Sequence, residues 1–164
     1  KQEKTSNQAY YLLPHSNKSR MKKLKKFLFA THGTLATGMK STLELLIGNT
    51  ADITCLTAYV NPEDNVDEQL KVYFSEVSDE DQVIVCTDLM GGSVNQKVVP
   101  YAQKENVFLI AGFNLPLILE LAMNEDKVTK EELLDSIEES RKNMMLVQVE
   151  IPEGKKEDEE EFLA

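Results

Sequence analysis

Three short runs, Phe27–Thr31, Val83–Thr87 and Val107–Ala111, are almost unbroken in apolar or β-favouring residues, and each stops abruptly at His32-Gly33, Asp88 or Gly112-Phe113-Asn114. A strand with one wet face alternates apolar and polar residues, whereas a continuously apolar one needs both faces covered. Between these runs the apolar spacing changes to that of a helix face. Met39, Leu43, Leu46 and Ile47 predict a helix from Gly38 to Ile47, ended by Gly48-Asn49. A further strand is expected at Ile53–Val60, closed by Asn61-Pro62, followed by a short helix lined by Val66, Leu70, Val72, Tyr73 and Phe74. Helices are also expected from Ser93 to about Gln103, over Leu115–Met123, and from the capping pair Thr129/Glu132 to Lys142. Strictly alternating strands and helices give right-handed crossovers and a mainly parallel sheet with helices on both faces. The expected fold is therefore α/β, a doubly wound sheet of four strands. A fifth strand, Met145–Ile151, follows a long helical excursion; it pairs either with the same sheet or with a second copy of the chain.

The 164 residues suffice for one domain with a proper core. Residues 1–20 lack apolar periodicity, so Met21 reads as the natural start, with the preceding leader either an expression remnant or a disordered arm. The expected organisation is a leader at 1–20, one domain at 21–152, and a flexible tail at 153–164 rich in Glu and Asp. The whole chain carries a net charge of −10. Since the leader holds four cations and one anion, about −13 falls on the rest. Nucleic-acid binding needs a basic stripe to neutralise phosphates, and none is present in the sequence. No apolar stretch approaches the ~20 residues that cross a bilayer. Cys55 and Cys86 lie inside expected strands without metal-ligand spacing, as small core residues in a reducing cytosol would.

In an open parallel sheet, chemistry collects beyond the carboxyl ends of the strands. His32, Asp88 and the segment Gly91-Gly92-Ser93 all emerge there. Asp88 is placed to accept the N–H of one imidazole nitrogen of His32, which fixes the tautomer and leaves the other nitrogen's lone pair as a nucleophile. Two glycines let backbone approach a ligand closely, and N–H groups at the following helix start suit an anion. Plainer roles exist for each: a strand-end histidine bonded to a carbonyl, a turn carboxylate, and a Ser93/Gln96 capping box. Phosphate-loop, dinucleotide and metal-binding signatures are absent from the sequence, which disfavours nucleotide hydrolysis. What remains is a metal-free, cofactor-free histidine that accepts a phosphoryl group and passes it on.

The segments Thr31-His32-Gly33-Thr34-Leu35-Ala36-Thr37-Gly38, Asp88-Leu89-Met90-Gly91-Gly92-Ser93 and Ala111-Gly112-Phe113-Asn114-Leu115-Pro116 resemble the IIA domain of the mannose family of the bacterial phosphoenolpyruvate-dependent sugar phosphotransferase system. The resemblance runs in order and spacing over roughly residues 25–123. It implies that His32 receives a phosphoryl group from the histidine phosphocarrier protein and donates it to a IIB domain, serving membrane IIC and IID components indirectly. It further implies that Asp88 partners His32, that Gly91, Gly92 and Ser93 receive phosphoryl oxygens, and that the last strand is exchanged in a cytoplasmic homodimer. Thr31, Gly33, Met90 and Asn114, from the same motifs, are expected at the rim. Family members often carry an aromatic residue where Met90 stands and Thr or Ser where Leu89 stands, so rim contacts differ here. Two other destinations fit the sequence: the phosphotransfer subunit of a dihydroxyacetone kinase, and a non-enzymatic doubly wound regulatory or flavin-binding module.

Overall fold

The computed structural model describes residues 25–49 and 51–149. The expected leader at 1–20 and tail at 153–164 lie outside the described residues. Strands β1 (Lys25–His32), β2 (Asp52–Ala58), β3 (Gln82–Thr87) and β4 (Val107–Ala111) form one sheet in the order β2-β1-β3-β4. Every pairing is parallel, with Phe27 level with Ile53 and Ile84, and Ile84 level with Phe108.

The two central strands explain their own composition. Side chains alternate across a strand, so Phe27 and Phe29 enter one core while Leu28 and Ala30 enter the other. The first core is closed by α1 (Leu35–Ile47), α4 (Leu115–Met123) and α5 (Lys130–Arg141), through Ala36, Leu43, Leu117, Ile118, Leu121 and Leu133. The second is closed by α2 (Val66–Ser75) and α3 (Ser93–Val98), through Val66, Leu70, Phe74, Val94 and Val98. All six residues of β3 are buried, as a central strand covered on both sides requires.

Several boundaries differ from the sequence expectation for identifiable reasons. Helix α1 starts at Leu35, not Gly38, because the buried Thr31 hydroxyl accepts the Ala36 N–H at 2.9 Å and supplies the missing cap from within β1. Strand β2 stops at Ala58 because Tyr59 turns into the left-handed region, φ +63°. The helix expected up to Gln103 ends at Val98, and a 3₁₀ turn covers Tyr101–Gln103 beyond Pro100. Thr129 and Glu132 do form the reciprocal capping box of α5. Of the expected fifth strand, residues 145–149 pair with none of the four described strands, which excludes the same-sheet option for them, and Met145, Leu146, Val147 and Val149 are exposed. Residues 150 and 151 lie outside the described residues.

The strand order has a mechanical consequence. From β1 the chain moves outward to β2, then returns across β1 to continue through β3 and β4 in the opposite direction. The carboxyl ends of β1 and β3 therefore flank the crevice where the winding reverses, the point at which such sheets bind ligands.

Candidate active site

His32 is the last residue of β1, and it is paired differently on its two sides. Toward β2 the ladder still holds it level with Ala58. Toward β3 the ladder has ended two residues earlier, at Ala30 and Thr87. The Asp88 carboxylate takes over there: Oδ2 accepts the His32 main-chain N–H at 2.9 Å. Nδ1 of the same histidine lies 3.0 Å from Oδ2 and 3.1 Å from Oδ1. One carboxylate thus fixes both the backbone and the ring.

The tautomer follows from the partners. An ionised carboxylate only accepts, so Nδ1 carries the proton and Nε2 keeps its lone pair. Nε2 lies 3.2 Å from Ser93 Oγ, whose hydroxyl donates to it, and the imidazole side chain is 39% exposed. Partial burial alone would raise the Asp88 carboxyl, but the His32 N–H, the His32 ring and the Leu89 N–H outweigh it and hold it below the ordinary carboxylate value.

The loop between β3 and α3 is shaped rather than open. Gly91 has φ +71°, and its N–H is already donated to Asn95 Oδ1 at 3.0 Å, while the Gly92 N–H is donated to Leu89 O at 3.1 Å. These two amides close the turn, so the expected cradle is narrower than the Gly91-Gly92-Ser93 motif implied. Gly92 has a steric task as well: a β-carbon there would stand 3.4 Å from His32 Cε1 and 3.2 Å from Leu89 O. Ser93 is not a cap. Gly92 occupies the N-cap position without a side-chain bond, Gln96 Nε2 donates instead to Gly91 O at 2.8 Å, and the Ser93 hydroxyl is free to face the imidazole.

The remaining expected rim residues divide. Met90 is exposed beside the loop. Gly33 makes a main-chain bond to Ala58 O at 2.9 Å, which continues the β1–β2 ladder past His32. Thr31 is fully buried under the start of α1, so it cannot meet a ligand at the rim. Asn114 is also committed elsewhere: its Oδ1 caps α4 by accepting the Leu117 N–H, and its Nδ2 donates to Ser140 O at 2.9 Å.

Two residues that sequence reasoning missed belong to the site. Tyr59 places its ring 5.6 Å from the imidazole and donates its hydroxyl to Ser93 Oγ at 2.9 Å. Asn95, buried in α3, ties the loop to β3 by donating to Thr87 Oγ1 at 2.9 Å while accepting from Gly91. A buried asparagine between Val94 and Val98 on an apolar helix face was the available signal for Asn95. No comparable signal marks Tyr59 in the sequence.

Among the described residues no group of three or more His, Cys, Asp or Glu side chains could hold a metal ion, and no helix is long and apolar enough to cross a membrane. Both cysteines are free thiols. A groove between β2 and α2, lined by Asp52, Tyr73 and Glu76 among others, includes neither His32 nor its partners. His32 Nε2 instead stands on an open rim, with Leu35, Leu89 and Met90 exposed nearby in the chain.

An imidazole and a carboxylate at the reversal point of a parallel sheet, with a hydroxyl on the free nitrogen, form an arrangement suited to group transfer on a doubly wound fold. The family model described as the PTS system fructose IIA component matches residues 26–138, and the chain belongs to this mannose-type family of IIA components of the sugar phosphotransferase system. Its fold is similar to that of a Klebsiella pneumoniae protein described as a phosphoenolpyruvate-dependent sugar phosphotransferase system permease (TM-score 0.69, 30% identity, 74% of this chain and 90% of that one). It is also similar to the PTS IIA protein associated with the fucose utilization operon of Streptococcus pneumoniae (TM-score 0.63, 28% identity, 74% and 92% covered). The mannose/sorbose-specific IIA subunit of Enterococcus faecalis shares the fold at 19% identity (TM-score 0.64, 80% and 98% covered). No curated protein matches the chain by sequence.

Proposed function

We propose that His32 is the phosphoryl-carrying residue of this IIA component, accepting the group on Nε2 from the histidine phosphocarrier protein and passing it to a IIB domain in the cytoplasm. The observation that carries this reading is the divided imidazole: Nδ1 tied to Asp88, Nε2 facing an open rim. The lone pair of Nε2 attacks phosphorus in line, the donor's P–N bond breaks, and that bond's electron pair returns to the donor imidazole. The Nδ1 proton stays directed at Asp88, whose negative charge offsets the positive charge gained by the ring. Ser93 Oγ, with the N–H groups that open α3, supplies donors for the phosphoryl oxygens. Catalysis of this kind is positioning and electrostatics, and it needs no metal.

The open setting supports a protein as donor and acceptor. A small phosphorylated metabolite is best held in an enclosed cavity, whereas a partner's side chain must reach the reactive atom from outside. IIB would in turn serve membrane IIC and IID components, coupling transfer to sugar uptake. The similar structures named for sugar systems support that destination over dihydroxyacetone kinase, and the family favours phosphotransfer over a regulatory or flavin-binding module.

The same reading makes the assembly a homodimer. β4 is an edge strand, and the apolar residues Met145, Leu146, Val147 and Val149 lie exposed beyond α5. Exchange of that segment onto the partner's open edge would cover both liabilities at once. Light scattering should give a dimer for the full chain and a monomer after truncation behind Asn143.

The decisive experiment incubates the chain with phosphoenolpyruvate, the general phosphotransferase enzyme and the carrier. Intact mass should rise by one phosphate, labile in acid and stable in base, and His32→Ala should take none. Phosphate retained on His32→Ala would remove the assignment.

A further inference from the structure

Tyr59 has a positive φ of +63°, while the other positive-φ residues among those described are glycines. A residue with a β-carbon enters the left-handed region only against steric repulsion, and the side chains that tolerate it best are short and polar. Packing does not explain the choice, since Tyr59 is 53% exposed. What the turn achieves is placement: the hydroxyl reaches Ser93 Oγ at 2.9 Å, and the ring leans over the imidazole at an interplanar angle of 34°. Residues held in sparsely populated conformations cluster where function needs them.

We propose that Tyr59 is a positioning residue for phosphoryl transfer that acts through Ser93, a role that rests on His32 being the phosphoryl acceptor. A serine hydroxyl left to rotate can present Nε2 with either its proton or a lone pair. Tyr59 removes that freedom by donating into Oγ, which leaves the serine proton directed toward His32. Three bonds then run in one sense, Tyr59 O–H to Ser93 Oγ, Ser93 O–H to Nε2, and Nδ1–H to Asp88. Each donor in such a chain is strengthened by the one behind it. As Nε2 bonds to phosphorus, the serine proton is not transferred. It swings from Nε2 to a phosphoryl oxygen, still backed by Tyr59, so Ser93 remains a donor before and after the reaction.

Tyr59→Phe keeps the ring and deletes only the donor. Phosphorylation by the phosphorylated carrier should still reach one phosphate per chain. The initial rate should fall about 3- to 10-fold, the span expected for one hydrogen bond, with the phosphohistidine lifetime shortened by a similar factor. The Nε2 resonance in ¹⁵N spectra of the unphosphorylated protein should shift. The double variant with Ser93→Ala should be no slower than Ser93→Ala alone, because both remove one chain of bonds. Tyr59→Gly, which relieves the backbone, should hold or raise Tm while losing the same rate. Wild-type rate and lifetime in Tyr59→Phe, additivity with Ser93→Ala, or a marked drop in Tm for Tyr59→Gly would each overturn the proposal. Failure of the unaltered chain to take phosphate on His32 is a separate result that overturns the relay itself.

Discussion

Asp81 and Asp88 bracket β3, one just before its first residue and the other just after its last, and their surroundings differ. The Asp81 side chain is fully buried and accepts from Lys26 Nζ and the Ser78 N–H, both at 2.9 Å. Asn106 Nδ2 donates to its carbonyl at 2.7 Å, which ties the start of β3 to the loop before β4. Asp88 is partly exposed and faces an imidazole on an open rim. Burial would raise both carboxyls. In Asp81 the bonds from Lys26 and Ser78 win and bring it to about 2, while in Asp88 the bonds from His32 and Leu89 hold it below the ordinary value. A lysine ammonium only donates, whereas an imidazole that donates from one nitrogen keeps a lone pair on the other. The amino-terminal end of the sheet is therefore locked by a buried ion pair. The carboxyl-terminal end pairs the same residue type with a ring whose other nitrogen stays available, which is what the proposed phosphoryl relay requires.

The largest effect expected from breaking this contrast is kinetic. Asp88→Asn should slow phosphorylation by the carrier roughly 10²- to 10⁴-fold, the upper figure being the loss when a serine protease's orienting aspartate becomes asparagine. Its effect on urea unfolding should be small, since both partners are partly solvated. Lys26→Met should do the reverse. Removing the Lys26 ammonium from the buried Asp81 carboxylate should cost about 3 kcal/mol in urea unfolding, while the folded fraction transfers phosphate at the unaltered rate.

Acid unfolding sharpens the comparison further. A carboxyl depressed in the folded state stabilises above its unfolded value of ~3.9, and that contribution disappears as pH falls through the folded value. For Asp81 the loss should fall between about pH 4 and the folded value of about 2. A titration of Tm over this window should be steep in the unaltered protein and flatter in Asp81→Asn. The smallest effect is expected away from both carboxylates: Thr129→Ala removes the α5 capping box and should cost about 1 kcal/mol in thermal unfolding, without touching phosphotransfer.

What could be read from the sequence was whatever burial writes into composition. Strands β1, β3 and β4 announced themselves as dry runs, and their ends brought His32, Asp88 and the glycine pair to one rim. For Ser93 the sequence left a capping role open beside the phosphate-binding one, because the Ser-x-x-Gln spacing is the same whether serine sits at the N-cap or one residue inside, and only the backbone of Gly92 decides between them. Asn114 looked like a site residue by position in its motif, although a strand-end asparagine before a helix serves equally as its cap. Tyr59 sat within an apolar run, where nothing about an aromatic side chain reveals the sign of φ. The segment 145–149 has the composition of a strand, but composition does not say whose sheet it joins.

Heteronuclear ³¹P–¹⁵N NMR of the phosphorylated chain tests the central claim most directly, because it reads which atom bears the group. The expected result is one phosphoryl group on His32 Nε2, with Nδ1 still protonated toward Asp88. A phosphoryl group on Nδ1, or on any other residue, would contradict it.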